Sequence, residues 1–327
     1  MNRLTFLLTL KDRPSYTRTW LQHNLRPEYD YFVADGSIGD ENRLLFNEIS
    51  LPNLTYVRYP KDLSVDCYVE KILHATRQIQ TEYVMACDND DFINYHGVTH
   101  CLDALEKDSR AVCAGGPIYG VIQNENNDTE SRYSLPVKVI DAAGLHNRSG
   151  FDALVHLFKN YRYMWYSVFR AKSYQIIWSD IKQLQISNLY LIELLQAELT
   201  FCHGKYVHVK ANHYIRLRNP ITNASVEASS NDVPHSHKIY FDDEYRRQVL
   251  RMSGHVAKLI DVDLRQLLSA LTEFYMSGIA QRSASFYSRI CARLFRIHEI
   301  LPRKLRIFFP IEFGIEFINI FSRDARR

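Results

Sequence analysis

The run Asp88-Asn89-Asp90-Asp91 places three carboxylates within four residues. It follows the apolar stretch Tyr83-Val84-Met85-Ala86-Cys87 and precedes Phe92-Ile93. Acids crowded at the end of a buried strand repel one another, so a cation or polar partners must offset them. In open α/β sheets ligands bind just beyond the carboxyl ends of the strands, where this run is expected. The chemistry that fits is a divalent metal held against a phosphate-bearing substrate. The plainer reading is a solvated turn whose acids cap a helix.

Strand and helix signals alternate around it. Leu4 to Leu10 reads as a strand, Pro14 opens a helix, and Tyr31 to Ala34 is a second strand ending in Asp35-Gly36-Ser37. Leu44 to Ile49 reads as helix and Leu54 to Tyr59 as strand. Asp66 to Ile79 has Val69, Ile72, Leu73 and Thr76 at helical spacing. After the acidic run, Val98 to Leu105 is helical and Ala111 to Val121 a strand. Strands separated by helices of this size indicate βαβ units and a mainly parallel sheet. Further on, the pattern predicts a helix near Phe151 to Asn160, a strand Trp165 to Phe169, a helix from Ser187 to about Phe201, and a strand at Tyr206 to Val209 continuing through His213 to Arg216.

The chain has 327 residues, 46% hydrophobic and 24% charged, with formal net charge +3. That charge is too small to argue for nucleic acid. Its distribution is uneven: ten Lys/Arg against four Asp/Glu from Gln281 to Arg327 leave the tail near +6 and the rest near −3. Six cysteines without paired or zinc-type spacing favour a reducing compartment. The opening segment is too short in apolar residues to read as a secretory signal, and no run reaches the ~18 apolar residues of a spanning helix. A cytoplasmic location is expected.

The order of these signals resembles the GT-A nucleotide-sugar glycosyltransferases, particularly glycosyltransferase family 2 and related bacterial polysaccharide enzymes, over residues 3 to 216. Thr9-Leu10-Lys11-Asp12-Arg13 looks like that family's first strand and loop. Ala34-Asp35-Gly36-Ser37 looks like its "Asp-Asp-Gly-Ser" strand end, with Ala34 in place of the first acid, and Asp88 to Asp91 looks like its metal motif. The resemblance implies an α/β, Rossmann-like GT-A catalytic domain over 1–218. Its nucleotide and metal half spans about 1–122 and its acceptor half about 133–218. A loop or linker over 219–235 and a helical C-terminal region over 236–327 with a basic amphipathic tail would follow.

The resemblance also implies roles. Mn²⁺ or Mg²⁺ would bind Asp90 first, then Asp88 and Asp91, with Asp88 also near the ribose. Asp35 would accept from the base, while Thr9 and Arg13 line the nucleotide pocket. Lys11 and Lys71 are candidates for countercharge to the diphosphate, or plain surface lysines. An inverting transfer needs a base for the acceptor hydroxyl. Glu193 fills that slot in a helix, where burial would raise its pKa. The family's usual acid pair is broken here by Leu194. His213 is a candidate further metal ligand or a structural histidine, and Arg216 and Arg218 are candidate diphosphate clamps. Trp165 and Tyr166 could stack on a sugar or simply pack the core.

The implied function is transfer of a sugar from a nucleotide-diphosphate sugar to a glycan or lipid-linked acceptor in bacterial surface-polysaccharide biosynthesis. Residues 282–321 mix Arg289, Arg293, Arg296 and Arg303 with aromatic and aliphatic side chains. They describe either a peripheral contact with the inner face of the membrane, a homodimer face, or ordinary packing. Two other functions fit parts of the pattern. A sugar-phosphate nucleotidyltransferase shares the acidic metal site, but its glycine-rich first loop is missing from Leu10 to Pro14. A non-catalytic scaffold would keep the fold and act through the tail.

Overall fold

The computed structural model describes residues 2–124, 132–218, 238–239 and 242–282. The expected linker over 219–235 falls outside the described residues, as does the basic tail from 283 onward. The chain divides into two compact units: residues 1–150 with 162–227, and residues 151–161 with 228–327.

The first unit is built on a seven-stranded sheet. In chain order its first-half elements are β1 (Leu4–Leu10), α1 (Pro14–Asn24), β2 (Asp30–Asp35), α2 (Glu41–Asn47), β3 (Leu54–Arg58), α3 (Val65–Gln78), β4 (Tyr83–Cys87), β5 (Phe92–Ile93), α4 (Tyr95–Lys107), β6 (Ala111–Gly115) and β7 (Ile118–Val121). Then come β8 (Gln123–Asn124), β9 (Arg132–Tyr133), β10 (Val137–Ile140) and, after α5 (Gly150–Lys159) of the second unit, β11 (Val168–Arg170), α6 (Ala171–Leu184), α7 (Leu189–His203), β12 (Lys205–His208) and β13 (Tyr214–Leu217). The strand order is β12-β6-β11-β4-β1-β2-β3. All its pairings are parallel except those of β11, which runs antiparallel to both β4 and β6. The mainly parallel α/β sheet flanked by helices that the sequence leads one to expect is the one observed.

β1 and β4 read as continuous apolar runs because the sheet is covered on both faces. Leu4, Phe6, Leu8, Leu10, Tyr83, Met85 and Cys87 are all buried in one cluster with Trp20, Tyr31 and Val168. Two expected strands resolve differently. The run Ala111 to Val121 breaks at Gly116-Pro117 into β6 and β7, because proline cannot donate to a central ladder. β6 stays in the main sheet, whereas β7 joins a second sheet of order β10-β7-β13-β5. In the same way β12 and β13, expected as one continuing strand, lie in different sheets. The strand expected at Trp165 to Phe169 begins only at Val168, leaving Trp165 and Tyr166 in the approach to it.

In the second unit α5 accompanies α8 (Asp243–Leu259) and α9 (Leu264–Arg282). Phe274 of α9 meets Phe158 and Tyr161, and the Tyr245 and Tyr275 hydroxyls are 3.3 Å apart. The segment around α5, expected inside the catalytic domain, therefore groups with the C-terminal helices instead. Among the described residues no helix is long and apolar enough to cross a membrane.

Candidate active site

β1 and β4 are neighbours in register, with Leu8 opposite Cys87, so the segments that leave their carboxyl ends emerge side by side. A cavity of about 410 Å³ opens there, within the range of small-molecule sites. Thr9, Lys11 and Arg13 from the first segment line it, together with Asp62, Ser64, Tyr68 and Lys71 around the start of α3. Asp88, Asp90, Tyr163, Trp165, Tyr166, Glu193 and Arg216 line its other walls. Of the residues singled out in the sequence, Thr9, Lys11, Arg13, Lys71, Asp88, Asp90, Trp165, Tyr166, Glu193 and Arg216 are thus brought together. Asp35, Asp91 and His213 are not among the lining residues.

The acidic run bridges the two sheets, since β4 ends at Cys87 and β5 begins at Phe92. β13 pairs with β5 through Tyr214–Ile93 and Ile215–Phe92, and this register carries the following residues past the acids. Leu217 N donates to Asp91 Oδ1 at 2.9 Å, and Arg216 Nε stands 3.8 Å from Asp91 Oδ2. Asp88 N donates to the Tyr214 hydroxyl at 3.0 Å, while the Tyr166 hydroxyl donates to Asp88 Oδ2. The Tyr166 and Tyr214 rings stack at 4.3 Å and 14°. Arg216 lies 5.5 Å from both the Tyr163 and Tyr166 rings and donates to the Tyr163 hydroxyl at 2.6 Å. Such cation–aromatic contacts hold a guanidinium in place while leaving its charge undiminished.

Ligand oxygens of Asp88, Asp90 and Asp91 all lie within 4.8 Å of one another. Burial, and then the charge of Asp90, push the Asp88 carboxyl above the usual range and Asp91 well above it. Asp91 Oδ2 is buried without a hydrogen-bond partner. An all-oxygen set with one orphaned carboxylate atom suits a hard divalent cation such as Mg²⁺ or Mn²⁺, whose charge would reverse both upward shifts.

Asp35, expected to meet the base, is wholly buried. It accepts from Ser37 N at 2.8 Å, from the Ser37 and Tyr56 hydroxyls, and from Arg58 Nη1 at 2.7 Å. These bonds fold the turn after β2, and the buried carboxylate does not line the cavity. Lys71, expected to face the diphosphate, is also buried. Its ammonium pairs with Asp62 and donates to the Leu10 carbonyl at 2.9 Å. Burial shifts both members of the pair toward neutrality, Lys71 down and Asp62 up. Asp62 keeps its other oxygen, Oδ1, without a partner. Gly36 leaves room for that carboxylate, which a Cβ at position 36 would strike. Nothing in the sequence motifs singles out Asp62, because only the fold carries the segment after β3 alongside the turn after β2.

His213 is buried between two backbone groups. Gly116 N donates to its Nδ1 at 2.9 Å, so Nε2 carries the proton toward the Tyr166 carbonyl at 3.0 Å. Both ring nitrogens are thereby used, which removes His213 from the expected metal ligands. Burial lowers its pKa to about 4, so it stays neutral and acts as a brace behind Tyr166.

Glu193 lines the cavity from the second turn of α7. Asn188 caps that helix, its side chain accepting from Leu191 N at 3.1 Å. Glu198, on a different face of α7, is fully buried and has its pKa raised to about 8 by desolvation. Of the two acids only Glu193 lines the cavity.

No protein-family model matches the chain, and no curated protein matches it. Solved structures do. Residues 1–349 of TarS from S. aureus align with a TM-score of 0.54 at 11% identity, covering 88% of this chain and 77% of that one. The same S. aureus segment in complex with UDP-GlcNAc aligns at 0.56 and 11% identity, covering 88% and 78% of the two chains. A longer S. aureus TarS structure aligns at 0.54 and 10% identity, covering all of this chain and 54% of that one. At such identity the likeness is one of fold, and the fold this chain carries is that of the GT-A glycosyltransferases.

Proposed function

We propose that the protein is a metal-dependent, inverting glycosyltransferase that uses a nucleotide-diphosphate sugar. The observation that carries this reading is the single cavity lined by Asp88 and Asp90, Arg216, Asp62 and Glu193. That S. aureus TarS is seen with UDP-GlcNAc and with UDP supports a uridine nucleotide as the first donor to try. The acceptor is a glycan or lipid-linked glycan of bacterial surface polysaccharide, reached on the cytoplasmic side of the membrane.

In this reading Asp62 Oδ1 accepts an N–H of the base. A buried carboxylate oxygen with no partner favours a base that donates from its ring, as uracil does. Asp35 shapes the turn that seats Asp62 rather than reading the base itself. Asp88, Asp90 and Asp91 hold Mn²⁺ or Mg²⁺, which when bound supplies electrostatic stabilisation of the departing diphosphate. Arg216, fixed against Tyr163 and Tyr166, and Lys11 at the rim add positive charge where the leaving oxygens become more anionic. Glu193 takes the proton of the acceptor hydroxyl as its oxygen attacks the anomeric carbon on the face opposite the diphosphate. The bond to the diphosphate oxygen breaks with its electron pair leaving on that oxygen.

Titration with UDP, GDP and CDP, with and without Mn²⁺, tests this. Metal-enhanced binding of one nucleotide, lost in Asp90→Asn, is expected. If no nucleotide gains affinity from metal, the reading fails. Glu193→Gln is expected to keep donor binding and lose transfer; equal loss of both would remove Glu193 as the base.

A further inference from the structure

The loop after β1 is unusual in backbone and side chain alike. Asp12 and Arg13, neither of them glycine, are both left-handed, with φ of 59° and 57°. Such conformations persist only where surrounding contacts over-determine them. Here Asp12 N donates to Ser37 Oγ at 2.8 Å, Ile38 N donates to Asp12 Oδ1 at 2.8 Å, and Asn42 Nδ2 donates to the Asp12 carbonyl at 2.9 Å. The Arg13 carbonyl accepts from Thr17 N at 3.2 Å and from Asn89 Nδ2 at 3.3 Å.

The result is an arginine aimed at the acidic run. Arg13 Nη1 meets Asp90 Oδ2 at 2.8 Å, and Nη2 donates to Asn89 Oδ1 at 2.8 Å. The Asp90 side chain is only 9% exposed and that of Arg13 22%. A guanidinium thus occupies the carboxylate that the reading above gives to the metal. A divalent ion on that carboxylate would stand within a few ångströms of the guanidinium, and the two positive charges repel. Metal entering at Asp90 therefore weakens the hold on Arg13, which lines the same cavity and can take another anion. A diphosphate offers one with the geometry a guanidinium fork prefers.

We propose that Arg13 competes with the metal at Asp90 and exchanges that carboxylate for a diphosphate oxygen, so that metal and nucleotide bind as a coupled pair. This inference rests on the metal-dependent reading of the site. Metal alone must outcompete Arg13 at Asp90, whereas metal with nucleotide also supplies a replacement anion. By linkage each ligand then strengthens the other by the same factor.

The test is the Mn²⁺ dissociation constant, read from the electron paramagnetic resonance signal of free Mn²⁺, with and without UDP, for wild type and Arg13→Gln. GDP is run in parallel. Without nucleotide, Arg13→Gln is expected to bind Mn²⁺ about tenfold more tightly, the scale of one charge-assisted contact in a half-buried site. The gain in Mn²⁺ affinity produced by nucleotide should shrink by a similar factor. Damage to the fold would weaken metal binding, so a gain cannot come from it. Asn89→Ala, which removes the acceptor for Nη2, provides a second variant and should tighten Mn²⁺ by a smaller factor. Unchanged or weaker nucleotide-free Mn²⁺ binding in Arg13→Gln, with a melting temperature near that of wild type, would overturn the proposal. If the wild type gains no Mn²⁺ affinity from any nucleotide, it is the metal-dependent reading that fails.

Discussion

Replacing Asp35 by Asn separates a carboxylate that reads the base from one that holds a turn. Asn keeps the size and one acceptor, which can still serve Ser37 N and its hydroxyl. The amide nitrogen then faces two donors, the Tyr56 hydroxyl and Arg58. Loss of the charge-assisted bond to Arg58 costs about 1.5–3 kcal/mol, and a Tyr56 hydroxyl left without its acceptor adds about 1. Arg58 is 26% exposed at its side chain, so water recovers part of the loss. About 3 kcal/mol is therefore expected. At roughly 2–4 °C per kcal/mol for a domain of this size, the melting temperature should fall by about 6–12 °C. Thermal denaturation followed by circular dichroism reads this, and UDP titration calorimetry well below the transition reads the site. Nucleotide affinity is expected to stay within about threefold of wild type. A melting temperature within about 2 °C of wild type, combined with lost nucleotide binding, would refute the structural role and return Asp35 to the base.

Three further changes follow from the geometry. Asp62→Asn should weaken UDP about tenfold and erode preference for bases with a ring N–H, checked by competition among UDP, GDP and CDP. Tyr166→Phe removes the donor to Asp88 Oδ2 and should weaken Mn²⁺ binding in the presence of UDP about tenfold, with the melting temperature little changed. Glu198 has its folded-state pKa raised to about 8 by burial, above the ordinary range it regains on unfolding. The folded state then binds more protons, so its contribution makes stability fall as pH rises from about 4.5 to 8. Glu198→Gln should therefore be more stable than wild type at pH 8 by on the order of a few kcal/mol and equal to it near pH 4.5. Denaturation at the two pH values checks this, and parallel curves would show that Glu198 does not titrate so high.

Much of the sheet was legible because β1, β2 and β4 are short apolar runs ending in Lys11, Asp35 and Asp88, and buried parallel strands leave that signature. The acidic run was legible for the same reason. β11 was harder to place, since three residues carry no periodicity and nothing local marks a strand as antiparallel. Helix α6 was missed although Tyr174, Ile177, Trp178 and Ile181 recur at helical spacing and are all buried. Site residues divided along similar lines. Those adjacent to a strand end, such as Thr9, Lys11 and Asp90, reach the cavity. Asp35 and Lys71 are paired with Arg58 and Asp62, which arrive from the next strand and the loop beyond it and leave no mark in the local sequence. His213, a candidate ligand or a structural histidine in sequence, has its two nitrogens bound by Gly116 and Tyr166, distant in the chain.

The placement of β11 bears on how divisible the first unit is. This strand comes from the later half of the chain, yet it lies between β4 and β6 and supplies a central rung of the sheet. A chain cut near residue 124 would leave β4 with an open apolar edge where Val168 and Phe169 belong. The first half of this unit is thus unsuited to life as a separate module. Expressed alone, residues 1–124 should be prone to self-association through that edge, and co-expression with the remainder should restore a soluble pair.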